Sequence, residues 1–125
     1  MDILVIEDDP IDRKLVAVVL ATSGHVVRER TTAEEAIEAI ATYKPDLVVL
    51  DLRLPGMNGL DLTRKLKSRP ETRGLPVVAV TAFPELFERD ALIASGCDAF
   101  LVKPIDTRTF SQSVAEVFAK RSSVE

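Results

Sequence analysis

The chain has 125 residues, of which 46% are hydrophobic and 29% charged, and its formal net charge is -4. This size and balance suit a single globular domain and exclude a disordered or fibrous chain. The acidic surplus disfavours direct binding to nucleic acid, and the apolar runs fall far short of the roughly 18 residues that a membrane span needs. With Cys97 as its one cysteine, the chain fits a reducing cytoplasm. We expect one domain over residues 1–120 and a short polar tail over 121–125.

Short apolar runs alternate with longer amphipathic segments from one end of the chain to the other. This rhythm predicts an α/β fold with three layers, in which a parallel sheet is covered by helices on both faces. A more polar segment at 25–29 predicts an edge strand. The nearly continuous apolar runs predict buried strands at residues 3–6, 47–50, 77–80 and 99–102.

The segments between and after the strands predict helices, and local signals set where each helix begins and ends. Asp9 and Asp106 can cap the first and the last of them. Thr31 or Thr32 can begin the second in a capping box, and Gly96 favours the end of the fourth. The helices are predicted at residues 10–23, 33–43, 59–67, 84–95 and 107–120.

Ionisable or hydroxyl residues follow four of the predicted strands, at the edge of the sheet where α/β proteins bind their ligands. Each of them alone has an ordinary explanation, such as a helix cap or a solvated charge. Their coincidence at one edge predicts a functional site instead. These residues are Glu7 and Asp8 after the first strand, Asp51 after the third, Thr81 after the fourth and Lys103 after the fifth.

Carboxylates dominate this predicted site. If the first and third strands are neighbours, Glu7, Asp8 and Asp51 crowd together, and two like charges about 4 Å apart repel by about 4 kcal/mol at an effective dielectric of 20. A bound Mg²⁺ would relieve the repulsion because it prefers oxygen ligands, and Lys103 would supply a second positive group. An aspartate in this setting can attack phosphorus, since phosphoryl transfer requires mainly positioning and neutralisation of the phosphoryl oxygens.

These residues and their flanking segments resemble the receiver domain of bacterial two-component response regulators, over essentially the whole chain. The resemblance implies a parallel sheet of strand order 2-1-3-4-5 with five helices, the flavodoxin-like or CheY-like arrangement. It also implies a phosphoacceptor switch in a phosphorelay, which is not an enzyme in the conventional sense. The segments that carry the resemblance are 3–10, 45–59, 77–82 and 100–104.

The resemblance assigns the phosphoacceptor and the metal ligands. Asp51 is the expected phosphoacceptor and, together with Asp8, a direct ligand of Mg²⁺, for which Mn²⁺ can substitute. Glu7 would hold the ion through water, and Arg53 would hold it through its main-chain carbonyl. Glu7 stands where many members of the family have Asp, which is a common variation.

The resemblance also implies a conformational switch. Lys103 would bridge to the phosphoryl group, Thr81 would move toward it, and the ring of Phe100 would follow into the vacated space. The surface formed by the fourth helix, the fifth strand and the fifth helix would then change shape. The alternative for Phe100 is a core aromatic that never moves. The bond between Lys103 and Pro104 is expected to be cis.

Two further positions are expected to set how long the phosphorylated state lasts. Arg53 and Phe83 each lie two residues past a site residue, where the family tunes hydrolysis of the aspartyl phosphate. The hypothesis is that their long or bulky side chains screen the attacking water.

The partners expected from the resemblance are a sensor histidine kinase or histidine phosphotransfer protein and a downstream effector. The chain is expected to be a monomer or a weak, phosphorylation-dependent dimer. In the first helix, a core face formed by Ile11, Leu15, Val18 and Val19 would leave Val16 and Leu20 as candidates for docking the phosphodonor. Further candidates for partner contact are Phe83, Leu86, Phe87 and Phe100.

Three alternatives remain open. A haloacid-dehalogenase-like phosphotransferase needs a second acid two residues after Asp51, where this chain has Arg53. A flavodoxin-like cofactor binder needs a loop rich in Ser, Thr or Gly after the first strand, where this chain has three acids. A pseudo-receiver would only bind partners, but the complete set of site residues argues against it.

Overall fold

The predicted alternation of strands and helices is present in the computed structural model of the chain. The structure describes the backbone of residues 1–87 and 89–124, and the side chains of residues 1–85, 87 and 89–120. The strands are β1 (Asp2–Ile6), β2 (Val26–Arg30), β3 (Leu47–Asp51), β4 (Val77–Thr81) and β5 (Ala99–Val102). The helices are α1 (Pro10–Thr22), α2 (Ala33–Thr42), α3 (Gly59–Ser68), α4 (Arg89–Ser95) and α5 (Phe110–Val124), with a 3₁₀ turn at Pro84–Leu86.

The five strands form one parallel sheet of order β2-β1-β3-β4-β5, which confirms the strand order expected from the resemblance. The segment predicted as an edge strand is β2, and it lies at one edge. The register pairs Ile6 of β1 with Leu50 of β3. It also pairs Thr81 of β4 with Val102 of β5. The carboxyl ends of β1, β3, β4 and β5 therefore meet at the same edge of the sheet.

Alternate residues of the central strands enter two separate apolar clusters, one on each face of the sheet. In β3, for example, Val48 and Leu50 pack with residues of α2, α3 and α4. Leu47 and Val49 pack on the opposite face with residues of α1 and α5. This division explains why β1, β3 and β4 are apolar at nearly every position, since both of their faces are covered. The prediction of a buried strand was wrong for β5, which forms the other edge of the sheet, is only partly buried and exposes Val102.

Side-chain caps begin the helices that surround the site. The carboxylate of Asp9 accepts from the backbone N–H groups of Ile11 and Asp12, as predicted for the start of α1. The side chain of Asn58, which was not predicted as a cap, accepts from the backbone N–H of Asp61 at the start of α3. Both caps lie at the edge of the sheet where the strands end, so they fix the loops that carry the site.

The prediction for the first helix chose the wrong face. Val16 and Leu20 were the predicted docking residues, but they are buried in the core, whereas Ile11, Leu15 and Val18 of the predicted core face are exposed. Residues 15–21 are apolar on almost every side of the helix, so their spacing does not select a face. The face is selected by packing of the helix against the sheet and α5, which takes in Val16 and Leu20.

The bounds of the last two helices also differ from the prediction. The fourth helix was predicted from residue 84, but the chain leaves helical geometry at Phe87, and α4 is only 7 residues long. In the last helix, Asp106 accepts from the backbone N–H of Arg108 and caps a preceding turn, so α5 begins at Phe110. The predicted tail over 121–125 is helical as far as Val124, because no glycine or proline ends the helix at Lys120.

Candidate functional site

The acidic residues after β1 and β3 converge, as the sequence predicted. Carboxylate oxygens of Glu7, Asp8 and Asp51 all lie within 4.8 Å of one another. Glu7 and Asp51 are buried, with 4% and 8% of their surfaces exposed, whereas Asp8 is exposed. They line a cavity of about 590 Å³ at the edge of the sheet, together with the loops after β3 and β4. Such a set of oxygens fits a hard divalent cation.

The ammonium group of Lys103 lies among these carboxylates. Its Nζ is 2.5 Å from Oε1 of Glu7 and 2.6 Å from Oδ2 of Asp51. It is also 3.0 Å from Oδ2 of Asp12, a residue that sequence reasoning missed. The available signal was the position of Asp12 in the first turn of α1, which begins directly over the acidic strand end. An ammonium has three N–H donors, so carboxylates take all the donors of Lys103.

Burial and the hydrogen bonds of this network have opposing effects on the pKa values of Glu7 and Lys103. Burial and the neighbouring Asp51 raise the pKa of Glu7 to about 7, although its hydrogen bond with Lys103 opposes the rise. Burial alone would lower the pKa of Lys103, but its hydrogen bonds with Asp51, Glu7 and Asp12 outweigh burial and raise it. Lys103 therefore stays charged, and the carboxylates still exceed the cations in the cavity.

A second basic side chain, that of Arg13, contacts the backbone of the acidic loop after β1. One guanidinium nitrogen of Arg13 donates to the backbone carbonyl of Glu7 at 3.0 Å. The same side chain forms an ion pair of 3.4 Å with Glu29 of β2. Arg13, which was not predicted, thereby links the loop after β1 to the neighbouring strand and restrains the direction of the Glu7 backbone.

Thr81 is the last residue of β4, and the two residues that follow it, Ala82 and Phe83, line the cavity. Thr81 is fully buried, and its hydroxyl oxygen accepts from the backbone N–H of Phe83 at 3.1 Å. Its own carbonyl accepts from the backbone N–H of Lys103 at 2.8 Å, so the ends of β4 and β5 are tied together. A hydroxyl that accepts in this way still has one O–H to donate. The bond from Lys103 to Pro104 is cis, as predicted.

Arg53 and Phe83 meet across the mouth of the cavity. The guanidinium carbon of Arg53 lies 4.6 Å from the ring centroid of Phe83, in a cation–π contact. The backbone N–H of Arg53 donates to Oδ1 of Asp51 at 2.7 Å. Both oxygens of the Asp51 carboxylate are therefore oriented by hydrogen bonds, one from Arg53 and one from Lys103.

Phe100 and Thr81 face the same side of the sheet. Phe100 pairs in register with Ala79, and Ala79 and Thr81 are two residues apart on β4, so their side chains share a face. The ring of Phe100 is partly buried against the core and lines a cavity of about 340 Å³ next to α4. The ring of Phe100 therefore borders open space on the side of α4.

The predicted partner residues are divided among different environments. Phe83 is exposed, and Phe87 is partly buried against the core. The side chain of Leu86 lies outside the described residues. The large apolar residues that α1 does expose are Ile11, Leu15 and Val18.

Gly59 brings the start of α3 into direct contact with the end of β3. Its backbone N–H donates to the carbonyl of Leu52 at 2.9 Å. A β-carbon at this position would lie 2.3 Å from the backbone oxygen of Asp51 and 2.7 Å from Cα of Leu52. Only glycine fits such an approach, so the helix holds the backbone that carries Asp51.

Comparison with known proteins gives one consistent result. The family model of the response regulator receiver domain matches residues 3–115. The polar-differentiation response regulator DivK of Brucella anthropi is 31% identical over 112 residues, which cover 90% of this chain and 91% of that protein.

Solved structures agree with this result at the level of the fold. NtrX from Brucella abortus superimposes with a TM-score of 0.89 at 30% identity, over 98% of this chain and 28% of that one. The chemotaxis response regulator CheY4 of Vibrio cholerae superimposes with a TM-score of 0.84 at 22% identity, over 93% of this chain and 97% of that one. No helix among the described residues combines the length and apolar character that a membrane span requires.

Proposed function

This chain belongs to the family of response regulator receiver domains of two-component signalling, and from that membership we propose that it accepts a phosphoryl group on Asp51 from a phosphohistidine of a partner protein. The observation that carries the proposal is the environment of the Asp51 carboxylate. It is buried at the edge of a cavity, and each of its oxygens accepts a hydrogen bond from Arg53 or Lys103. Such a carboxylate is held in a fixed direction, as a nucleophile requires.

The proposed transfer is a single displacement at phosphorus. An oxygen of Asp51 forms a bond to phosphorus while the bond between phosphorus and the imidazole nitrogen of the donor breaks. The electron pair of that bond stays on the nitrogen, and a proton carried by the other ring nitrogen of the donor lets it leave as a neutral imidazole. Lys103 neutralises charge on the phosphoryl oxygens, and the Thr81 hydroxyl donates a hydrogen bond to one of them.

Mg²⁺, with Mn²⁺ as a substitute, is the proposed cofactor. The clustered oxygens of Glu7, Asp8 and Asp51 fit the ligand preference of this hard cation. Asp8 and Asp51 would hold it directly, Glu7 through water, and Arg53 through its main-chain carbonyl. When bound, the ion supplies positive charge that stabilises the phosphoryl oxygens.

The proposed output is a change at the surface formed by α4, β5 and α5. Thr81 moves toward the phosphoryl group, and the ring of Phe100, which faces the same side of the sheet, follows it. Because phenylalanine has no hydroxyl, this coupling relies on packing alone. A downstream effector would bind the changed surface, and the protein would act in the cytoplasm as a monomer or a weak, phosphorylation-dependent dimer.

The proposed docking surface for the phosphodonor is the exposed side of α1. Ile11, Leu15 and Val18 form an exposed apolar stripe there, and Ile11 stands next to Asp12, which lines the cavity. This stripe replaces the buried residues that the sequence had suggested. A sensor histidine kinase or a histidine phosphotransfer protein would pack on it and bring its phosphohistidine to Asp51.

Asp51→Asn is expected to abolish covalent phosphorylation, because an amide oxygen is a poor nucleophile. The measurement is the intact mass of wild type and variant after incubation with Mg²⁺ and acetyl phosphate. Asp61→Asn is a suitable control, since Asp61 is exposed and pairs with Arg64. A phosphate-sized gain in mass for wild type and Asp61→Asn, with none for Asp51→Asn, supports the proposal. A wild-type protein that gains no mass favours a pseudo-receiver.

Phe83→Ala is expected to shorten the life of the phosphorylated protein. The ring stacks on Arg53 at the mouth of the cavity, so its loss opens a path for the attacking water. If loss of this cation–π contact lowers the barrier to hydrolysis by roughly 0.6 kcal/mol, the phosphorylated protein decays about threefold faster. The decay of the phosphoprotein is followed by mass spectrometry in wild type, Phe83→Ala and Phe83→Leu, which keeps apolar bulk without the aromatic face. Equal decay in wild type and Phe83→Ala would refute the role of the ring.

A further inference from the structure

Asp12 is the one partner of Lys103 that the proposed transfer does not use. Its Oδ2 lies 3.0 Å from Nζ of Lys103, the longest of the three contacts. Its side chain is 41% exposed, compared with 5% for Glu7 and 9% for Asp51. Asp12 lies in the first turn of α1, outside the strand ends that carry the other two carboxylates.

A phosphoryl group that binds Lys103 must replace one of the carboxylates that its ammonium group already contacts. All three N–H donors of the ammonium are taken by Glu7, Asp51 and Asp12, so a phosphoryl oxygen can bind Lys103 only if one carboxylate leaves. Departure of Glu7 would leave a buried carboxylate without its ammonium partner, which is costly, and Asp51 carries the incoming group itself and so stays beside Lys103. Departure of Asp12 costs least, because water can solvate its exposed carboxylate.

From this geometry we infer that Asp12 is a positioning residue that holds Lys103 in the unphosphorylated protein and is displaced from it by the phosphoryl group. The inference rests on the proposed function of Asp51. Asp12 competes with the incoming group for the same cation, so it favours the unphosphorylated state. Its removal should make occupation of the site by a phosphoryl group or its mimic more favourable.

The test measures the affinity of the protein for beryllofluoride, a non-covalent mimic of the phosphoryl group, by calorimetry at saturating Mg²⁺ and low salt. Asp12→Asn is expected to bind it about fivefold more tightly than wild type, the upper range for loss of a partly exposed ion-pair partner. Asp12→Glu, which restores a carboxylate, is expected to return the affinity toward that of wild type. The advantage of Asp12→Asn should shrink as salt is added, since salt screens the ion pair.

Two other Asp→Asn variants separate this exchange from simple loss of charge. Asp61 occupies the same position in the first turn of α3 and pairs with Arg64, so Asp61→Asn should bind like wild type. Asp9 lines the same cavity as Asp12, but its carboxylate accepts from the backbone at the start of α1. An equal gain in affinity for beryllofluoride in Asp9→Asn and Asp12→Asn would overturn the inference, because the loss of one negative charge from the cavity would then explain both.

The results also separate this inference from the proposed function. If wild type gains phosphate on Asp51 and binds beryllofluoride, but Asp12→Asn binds it no more tightly, only the role of Asp12 is refuted. If wild type neither gains phosphate nor binds the mimic, the proposed function fails first, and the role of Asp12 fails with it.

Discussion

Lys103→Met is expected to lower the free energy of unfolding by about 3 kcal/mol in the absence of divalent cations, because it leaves buried carboxylates without their counter-ion. The carboxylates of Glu7 and Asp51 are nearly inaccessible to water, and both lose their hydrogen bond to Nζ. For a domain of this size the loss corresponds to a fall in melting temperature of roughly 10 °C. The same variant should no longer be phosphorylated at a measurable rate, since the phosphoryl oxygens lose a positive group.

Lys67 offers a matched control for this experiment. Its side chain is 14% exposed, compared with 13% for Lys103, but it pairs with the single carboxylate of Asp98. Lys67→Met should therefore cost less stability and leave phosphorylation intact. Mg²⁺ should restore stability to Lys103→Met more than to Lys67→Met, because a divalent cation can replace the lost charge among the acids. Urea unfolding with and without Mg²⁺ measures both effects. Equal stability of Lys103→Met and wild type would contradict the central role of this ion network.

Gly59→Ala is expected to destabilise the protein by about 3 kcal/mol or more, because the added methyl group meets backbone atoms that cannot rotate away. The nearest of them is the carbonyl oxygen of Asp51, only 2.3 Å from the new carbon. Relief of this clash requires α3 to move away from β3, which shifts the backbone of the phosphoacceptor. The rate of phosphorylation by acetyl phosphate should therefore fall together with the melting temperature.

The control for this substitution is Gly74→Ala. A β-carbon on Gly74 meets no atom within 4 Å, so the change should be neutral or stabilise by up to about 1 kcal/mol. Circular dichroism during heating compares the two variants with wild type. If Gly59→Ala melts like Gly74→Ala, the close approach of α3 to β3 is not what fixes Asp51.

The parts of the structure that sequence could predict are those set by strong local patterns. Apolar runs placed the strands, and the acids that follow β1 and β3 pointed to a shared cavity. That cavity also needed β1 and β3 to be neighbours, a fact that came from the family resemblance and not from periodicity. Asp9 could be assigned as a cap because its chemistry is local.

The parts that sequence could not predict depend on contacts between distant elements. The helix face that holds Val16 and Leu20 is chosen by the sheet and α5, because apolar residues surround this helix on almost every side. The contact of Asp12 with Lys103 joins residues 91 positions apart, and the place of Asp12 in the first turn of α1 does not identify Lys103 as its partner. Helical geometry ends early at Phe87, and the sequence did not predict this because no glycine or proline lies at that position.

The ion pair between Lys103 and Glu7 spans 96 positions of the 125-residue sequence. During synthesis on the ribosome, the segment that bears Asp51 emerges long before Lys103 does. A nascent or truncated chain that lacks β5 therefore cannot complete the network, whatever the state of its earlier strands. The charge balance around Asp51 is therefore established only after β5 and the residue that follows it have been synthesised.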